Sequence, residues 1–306
     1  MRKNKLVGLI PATFKKGNIL RNLGLNGNQL DGPLPQALRN CTNLQVLDLG
    51  NNYINDTFPN WLDSLPMLQV LILRSNRFHG PISSPITRFI PFQKMRIMDL
   101  SHNNFCGPLP TKYFENFLSM MNVQGHELKY MGDDYYHDSV VVEIKGIELE
   151  LVKILTFFTT IYFSNNAFRS TIPKEIGKLK SLKGLNFSHN YLTGSIPSSL
   201  GNLTELEWLD LSSNMLDGEI PRKLVDLTSL GTLNLSDNRL VGSIPFGKQF
   251  NTFENNSYLG NFGLCGYPLS NLCINEEAHP SSFQGEDDLE QENGFDWEVV
   301  LMGYGW

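Results

Sequence analysis

The chain has 306 residues, 41% of them hydrophobic and only 18% charged, with a formal net charge of −6. Residues 274–306 hold nine acidic groups and no Lys or Arg, which leaves 25 basic against 22 acidic groups in residues 1–273. So weakly charged a body argues against a nucleic-acid partner. With no glycine-rich phosphate loop, kinase segment or His-Glu metal motif, the sequence assigns no catalytic residue, metal or cofactor.

The chain opens on Met1-Arg2-Lys3 and a short apolar run from Leu6 to Ala12. A basic start before an apolar run mimics a secretion signal, but Pro11 interrupts the run and its residues keep the register of a repeated unit. Asn4, Leu6, Gly8, Ile10 and Pro11 match the second half of that unit, which recurs along the chain. Asparagine marks it at positions 4, 28, 52, 76 and 103, and then at 166, 190, 214 and 238, with 24 residues the commonest interval. A fixed period of this length predicts a stacked solenoid. The unit reads LxxLxLxxNxLxGxIPxxLxxL, as in Leu206, Leu209, Leu211, Asn214, Leu216, Gly218, Ile220, Pro221, Leu224 and Leu227.

Each residue type has a physical reason. The leucines of one turn are buried only by the turns on either side, so no unit is stable alone. An inward Asn carboxamide satisfies backbone groups that a tight loop leaves unpaired. Gly and Pro set the bend on the far side, where a second, irregular strand or turn surface is expected. The start inside a unit predicts an exposed leucine-lined end, hence a longer natural product or an incomplete gene model.

Between the units of Asn103 and Asn166 lie 39 extra residues. Within them Asp138 to Leu151 alternates around Lys145-Gly146, predicting a hairpin in which Ile144 faces Ile147, Val142 faces Leu149 and Val140 faces Leu151, the apolar side packed on the solenoid. Val141, Glu143, Glu148 and Glu150 take the other face. The apolar run Val152–Phe163 is too short to span a bilayer and leads into the next strand, so it reads as core. His102 and His189 each precede a marker Asn, where a surface role is expected. Cys41 and Cys106 fall in different registers of the unit and read as buried free thiols rather than as a bond. The four cysteines lack the paired close spacing of a zinc site. The residues flanking each inward strand leucine form a row: Gly24, Asp48, Ile72, Asp99, Tyr162, Asn186, Asp210 and Asn234. Its three aspartates predict a mildly acidic inner face suited to a basic peptide or protein surface. Asn-x-Ser/Thr sequons stand at Asn40, Asn55, Asn186, Asn202, Asn234 and Asn255.

The repeated unit resembles the plant-specific leucine-rich repeat. That resemblance implies an α/β repeat solenoid, a right-handed superhelix with a parallel β-sheet on its concave face. It also places Cys265 and Cys273 in a C-terminal cap joined by a disulfide, which together with the sequons points to the secretory route. The interruption resembles the island of plant leucine-rich-repeat receptor-like proteins of the Cf, EIX and Verticillium-resistance types, with Tyr136 and Lys145-Gly146 matching its Tyr-x8-Lys-Gly motif.

The implied organisation is leucine-rich repeats in 1–114, an island in 115–153, four repeats in 154–249, a cap in 250–273, an acidic juxtamembrane linker in 274–296, and the start of a membrane segment in 297–306, too short by itself to span. The resemblance further implies a non-enzymatic receptor on the outer side of the plasma membrane. It would bind an extracellular peptide or protein elicitor, a co-receptor kinase of the somatic-embryogenesis type and an adaptor receptor kinase, in defence more than in development. A secreted inhibitor of the polygalacturonase-inhibiting kind shares the repeat but not the island. A developmental peptide receptor and a nonfunctional truncated paralogue remain as alternatives.

Overall fold

A computed structural model of the chain describes residues 1–83, 90–122, 129–132, 140–144 and 147–273. Residues 1–273 form one compact unit. Each repeat contributes a three-residue strand to an eight-stranded parallel sheet, running in chain order from Asn22–Gly24 to Thr232–Asn234. The register is one residue per repeat without slippage: Gly24, Asp48, Ile72, Asp99, Tyr162, Asn186, Asp210 and Asn234 are successive partners. This sheet lines the concave face. The central residue of each strand, such as Leu47, Leu71, Ile161 and Leu185, points the other way, into the core.

The GxIP side forms further parallel strands, a seven-stranded sheet and a three-stranded one. Between the two sides each turn passes through a short helical segment. It is of the tight 3-10 kind, as in Gln36–Asn40, Lys174–Lys178, Ser198–Asn202 and Arg222–Asp226. A proline stands just before each of them. The first bond is of i→i+3 type, from the Leu38 N–H to the Pro35 carbonyl and from the Leu200 N–H to the Pro197 carbonyl, which is the spacing of a 3-10 turn. The helical half of the expected α/β repeat is therefore 3-10, and α-helix is confined to single turns at Thr111–Phe114 and Leu118–Met121 among the described residues.

The marker asparagines act as staples between turns. In Asn190 the side-chain Oδ1 accepts the Phe168 N–H of the preceding turn at 3.0 Å. Its Nδ2 donates to Phe163 O of that turn at 3.0 Å and to Phe187 O of its own at 3.1 Å. Asn52, Asn214 and Asn238 repeat this geometry. Asn166 keeps it across the insertion, bonding Phe105 N and Leu100 O, so the extra residues loop out without disturbing the stack. Asn4 is no staple: it is exposed and its Nδ2 reaches only Arg2 O. A further staple stands at Asn261, which takes the Leu240 N–H and donates to Leu235 O and Tyr258 O.

The residue before each staple lies in the left-handed region, with φ between 51° and 54° at Asn51, Ser75, His102, Asn165, His189, Ser213 and Asp237. Short polar side chains and histidine tolerate that conformation best, which accounts for His102 and His189, both exposed.

The C-terminal cap closes on a Cys265–Cys273 disulfide. Cys41 is a buried free thiol, and Cys106 is free but only half-buried. Val152, expected in the core, is 70% exposed, whereas Ile154, Ile161 and Phe163 of the same run are buried. Among the described residues no helix is long and apolar enough to cross a membrane. The acidic stretch and the segment after it, 274–306, lie outside the described residues.

Candidate functional site: the concave face and its insertion

Strands Val140–Ile144 and Ile147–Leu151 pair antiparallel, with Val140 opposite Leu151, Val142 opposite Leu149 and Ile144 opposite Ile147. Val140 and Val142 are fully buried in a second apolar cluster, together with Met131 of the insertion and Ile154 just after it. Its other members are Val46, Val70, Ile72 and Ile97, all from the concave strands of the repeats that precede the insertion. The hairpin is therefore seated in the groove of its own solenoid. Tyr136, Lys145 and Gly146 of the island motif lie outside the described residues.

This seating corrects the expected exposed acidic row. Asp48, Ile72 and Asp99 are fully buried and Tyr162 is 3% exposed, while Asn186, Asp210 and Asn234 remain half-buried. The two buried carboxylates are also compensated. Asp48 sits 3.3 Å from Arg2 Nε and accepts from Asn26 Nδ2 at 3.0 Å. Asp99 lies 4.0 Å from Arg74 Nε and accepts from the Ser101 N–H. Burial raises the Asp48 carboxyl above its ordinary range, against the pull of Asn26, Arg2 and Arg74. Truncating Asp99 to Ala is therefore a stability test and not a binding test. Leaving Arg74 buried without this partner is expected to lower the unfolding free energy by about 3 kcal/mol, read as a shift in urea midpoint.

On the far side of the insertion the concave face is closed by Trp208. Its ring covers Gly184, its register partner in the preceding strand, where a Cβ would fall inside the indole. The indole stacks on Tyr162 with centroids 6.4 Å apart and meets Phe158, which packs against the hairpin's apolar cluster, at 6.0 Å. Through Phe158 these contacts link the cluster that holds the hairpin to the repeats after the insertion. Sequence reasoning missed the pair, although a Gly at a position that carries Val or Ile in earlier strands, followed one repeat later by Trp, was a readable signal.

The insertion leaves an exposed rim: Tyr130, Leu149, Glu150, Val152 and Lys153, with Lys153 Nζ 5.4 Å from the Tyr130 ring centroid. Beyond Trp208 the open part of the concave face carries Asn186, Asp210 and Asn234, ending at a recess of about 400 Å³ beside the cap.

A third buried acid was not foreseen. Asp63, 4% exposed, accepts from the Tyr113 hydroxyl at 3.0 Å through Oδ1, and its Oδ2 has no hydrogen-bond partner. Desolvation pushes its carboxyl up to about 6, and the Tyr113 bond offsets only part of that. Burial and the adjoining carboxylate push the Tyr113 hydroxyl up as well. A folded-state value above the ordinary 3.8 means that this group costs nothing below about pH 4. Its penalty grows as pH rises through 6. Asp63→Asn keeps an acceptor for Tyr113 and removes the charge. The urea midpoint of the variant relative to wild type is expected to rise as pH goes from 4 to 7, and an offset independent of pH would contradict the assignment.

Asn55 and Asn255 are the exposed sequons, while Asn40, Asn186, Asn202 and Asn234 are half-buried. No group of His, Cys, Asp and Glu among the described residues is arranged to hold a metal ion.

Comparison with known proteins places this architecture. The leucine-rich-repeat family model matches residues 20–78 and 158–216. Receptor-like protein 34 of Arabidopsis thaliana is 56% identical over 239 residues, which are 76% of this chain and 24% of that protein. Receptor like protein 22 of the same plant is 54% identical over 239 residues, 76% of this chain and 31% of its own length. Among solved structures, a plant ice-binding protein aligns with a TM-score of 0.65 at 26% identity, over 90% of this chain and 75% of that one. The Arabidopsis receptor kinase HAESA, in complex with the peptide hormone IDA and the co-receptor SERK1, aligns with a TM-score of 0.60 at 27% identity, over 89% of this chain and 41% of that one.

Repeat, staple and stacked sheets together make this a leucine-rich-repeat protein of the plant type. Within that class the chain belongs with the receptor-like proteins. It spans 24% to 31% of the length of these two relatives.

Proposed function

We propose that this chain is a non-enzymatic recognition segment of a cell-surface receptor, binding an extracellular peptide or protein elicitor together with a co-receptor kinase of the somatic-embryogenesis type. Defence signalling through an adaptor receptor kinase is the favoured setting. The carrying observation is that the insertion fills the concave groove over Val46, Val70, Ile72 and Ile97. A partner is thereby left the rim Tyr130, Leu149 and Val152 and the neighbouring half-buried Asn186 and Asp210. Support comes from the receptor-like relatives and from HAESA, whose structure holds a peptide hormone and a co-receptor. The ice-binding neighbour is a reminder that the fold alone does not fix the activity.

Leu149→Asp combined with Val152→Asp alters exposed positions and should leave the thermal midpoint unchanged. In the complete receptor expressed in leaf cells, the double variant is expected to lose co-precipitation of the co-receptor after elicitor treatment. Val241→Asp, equally exposed but on the opposite sheet, should retain it. Full co-precipitation by the double variant would refute the proposed surface.

A further inference from the structure

We propose that Asn234 carries an N-linked glycan whose first sugars are seated in the recess between the last concave strand and the C-terminal cap. Strand Thr232–Asn234 ends the concave sheet, and among the described residues it pairs on one side only, with Trp208–Asp210. The chain does not add another strand there. Ser257 accepts the Leu235 N–H from a single 3-10 turn, Asn255–Ser257, and the space left beside the strand is the recess of about 400 Å³. That volume lies within the range of small-molecule sites, roughly 300–1,000 Å³. Thr232, Asn234, Thr252, Glu254 and Asn256 line it with hydrogen-bonding groups, and Phe253 adds an apolar surface. Hydroxyls, amides and one carboxylate around an apolar patch suit a sugar ring.

Asn234-Leu235-Ser236 is a sequon, and its folded geometry leaves room for an attached sugar. The Asn234 Oδ1 accepts the Ser236 N–H at 3.2 Å and the Ser236 hydroxyl at 2.8 Å. Both bonds hold the carboxamide by its oxygen, and Asn234 itself lines the recess. Asn40 differs, since its Nδ2 is committed to Phe14 O at 2.9 Å. Asn255, by contrast, is exposed and does not line the recess. In the transfer, Nδ2 loses a proton and bonds the anomeric carbon of an oligosaccharide. The bond from that carbon to the phosphate of a polyprenyl-diphosphate donor breaks, and the lipid diphosphate leaves. The step takes place on the unfolded chain, and folding then brings the sugars into the recess. A glycan there limits the open concave face to the insertion and the strands up to Trp208–Asp210.

This inference rests on the secretory route assumed above. The receptor is secreted from cells that attach high-mannose glycans and treated with endoglycosidase H under native conditions. Occupancy at each sequon is then followed by glycopeptide mass spectrometry. Asn234 is expected to be occupied, and to release its glycan about tenfold more slowly than Asn255, because the sugars must first leave the recess. After denaturation both should be released alike, and Ser236→Ala should abolish the modification at Asn234. Occupied Asn255 with bare Asn234, or equal native release from both, overturns the seating. Bare Asn55, Asn234 and Asn255 together overturn the secretory reading with it.

Discussion

Asn190→Ala is expected to lower the unfolding free energy by about 1–3 kcal/mol, measured by urea denaturation. The substitution removes one acceptor and one shared donor from the middle of the stack. The Phe168 N–H loses its acceptor at 3.0 Å, while the carbonyls of Phe163, Phe187 and Ser188 each lose one donor at 3.0–3.1 Å but keep another, from Asn166 Nδ2, Asn214 Nδ2 and the Asn165 N–H. Each buried group left unsatisfied costs about 1–3 kcal/mol, and in a stack whose turns are stabilised only by their neighbours the loss is felt on both sides. Phe163, Phe168 and Phe187 also form part of the aromatic core beside the insertion. Asn4→Ala serves as the control. It deletes the same side chain from an exposed position with one local bond and should change stability by less than about 0.5 kcal/mol. Equal effects at the two positions would refute the staple account.

Trp208→Ala is expected to cost about 3–5 kcal/mol as well, as for other buried aromatics, and to expose the insertion to limited proteolysis. Trp208 is 6% exposed and packs on Tyr162 and Phe158 of the repeat that follows the insertion, and Phe158 in turn packs against the apolar cluster that holds the hairpin. Gly184→Ala approaches the same end from the other side. The added methyl collides with the indole, so the ring must swing out, at a cost of about 1–3 kcal/mol. If the insertion is held by Trp208, both variants will be cleaved there faster than wild type. Unchanged cleavage in a variant that is measurably destabilised would place the insertion's anchorage elsewhere.

The stack was legible because its signals are local and repeated. A 24-residue period fixed the register of Gly24 through Asn234, and alternation around Lys145-Gly146 carried the same pairing that strands Val140–Ile144 and Ile147–Leu151 adopt. What escaped is tertiary. Asp48 and Asp99 occupy positions that face solvent in an open solenoid, and their burial beside Arg2 and Arg74 depends on residues distant in the sequence. Asn4 carries the repeat's residue without being a staple. Asn261 is a staple without the repeat's spacing, since it stands 23 residues after Asn238 in the cap. The Asp63–Tyr113 bond joins residues 50 positions apart in chemically unremarked places, which no short-range pattern reports.

The central claim is that the insertion covers the concave face of the preceding repeats, so that recognition falls to its rim and to the strands after it. Carboxylate footprinting tests this most directly: the folded protein is labelled with a carbodiimide and an amine, and modification is read residue by residue by mass spectrometry. Asp48 and Asp99, fully buried, should stay unlabelled, while exposed Asp217 and Asp226 react fully and half-buried Asp210 reacts in part. Labelling of Asp48 and Asp99 at the rate of Asp217 would mean an open groove, and the account of the site would be wrong.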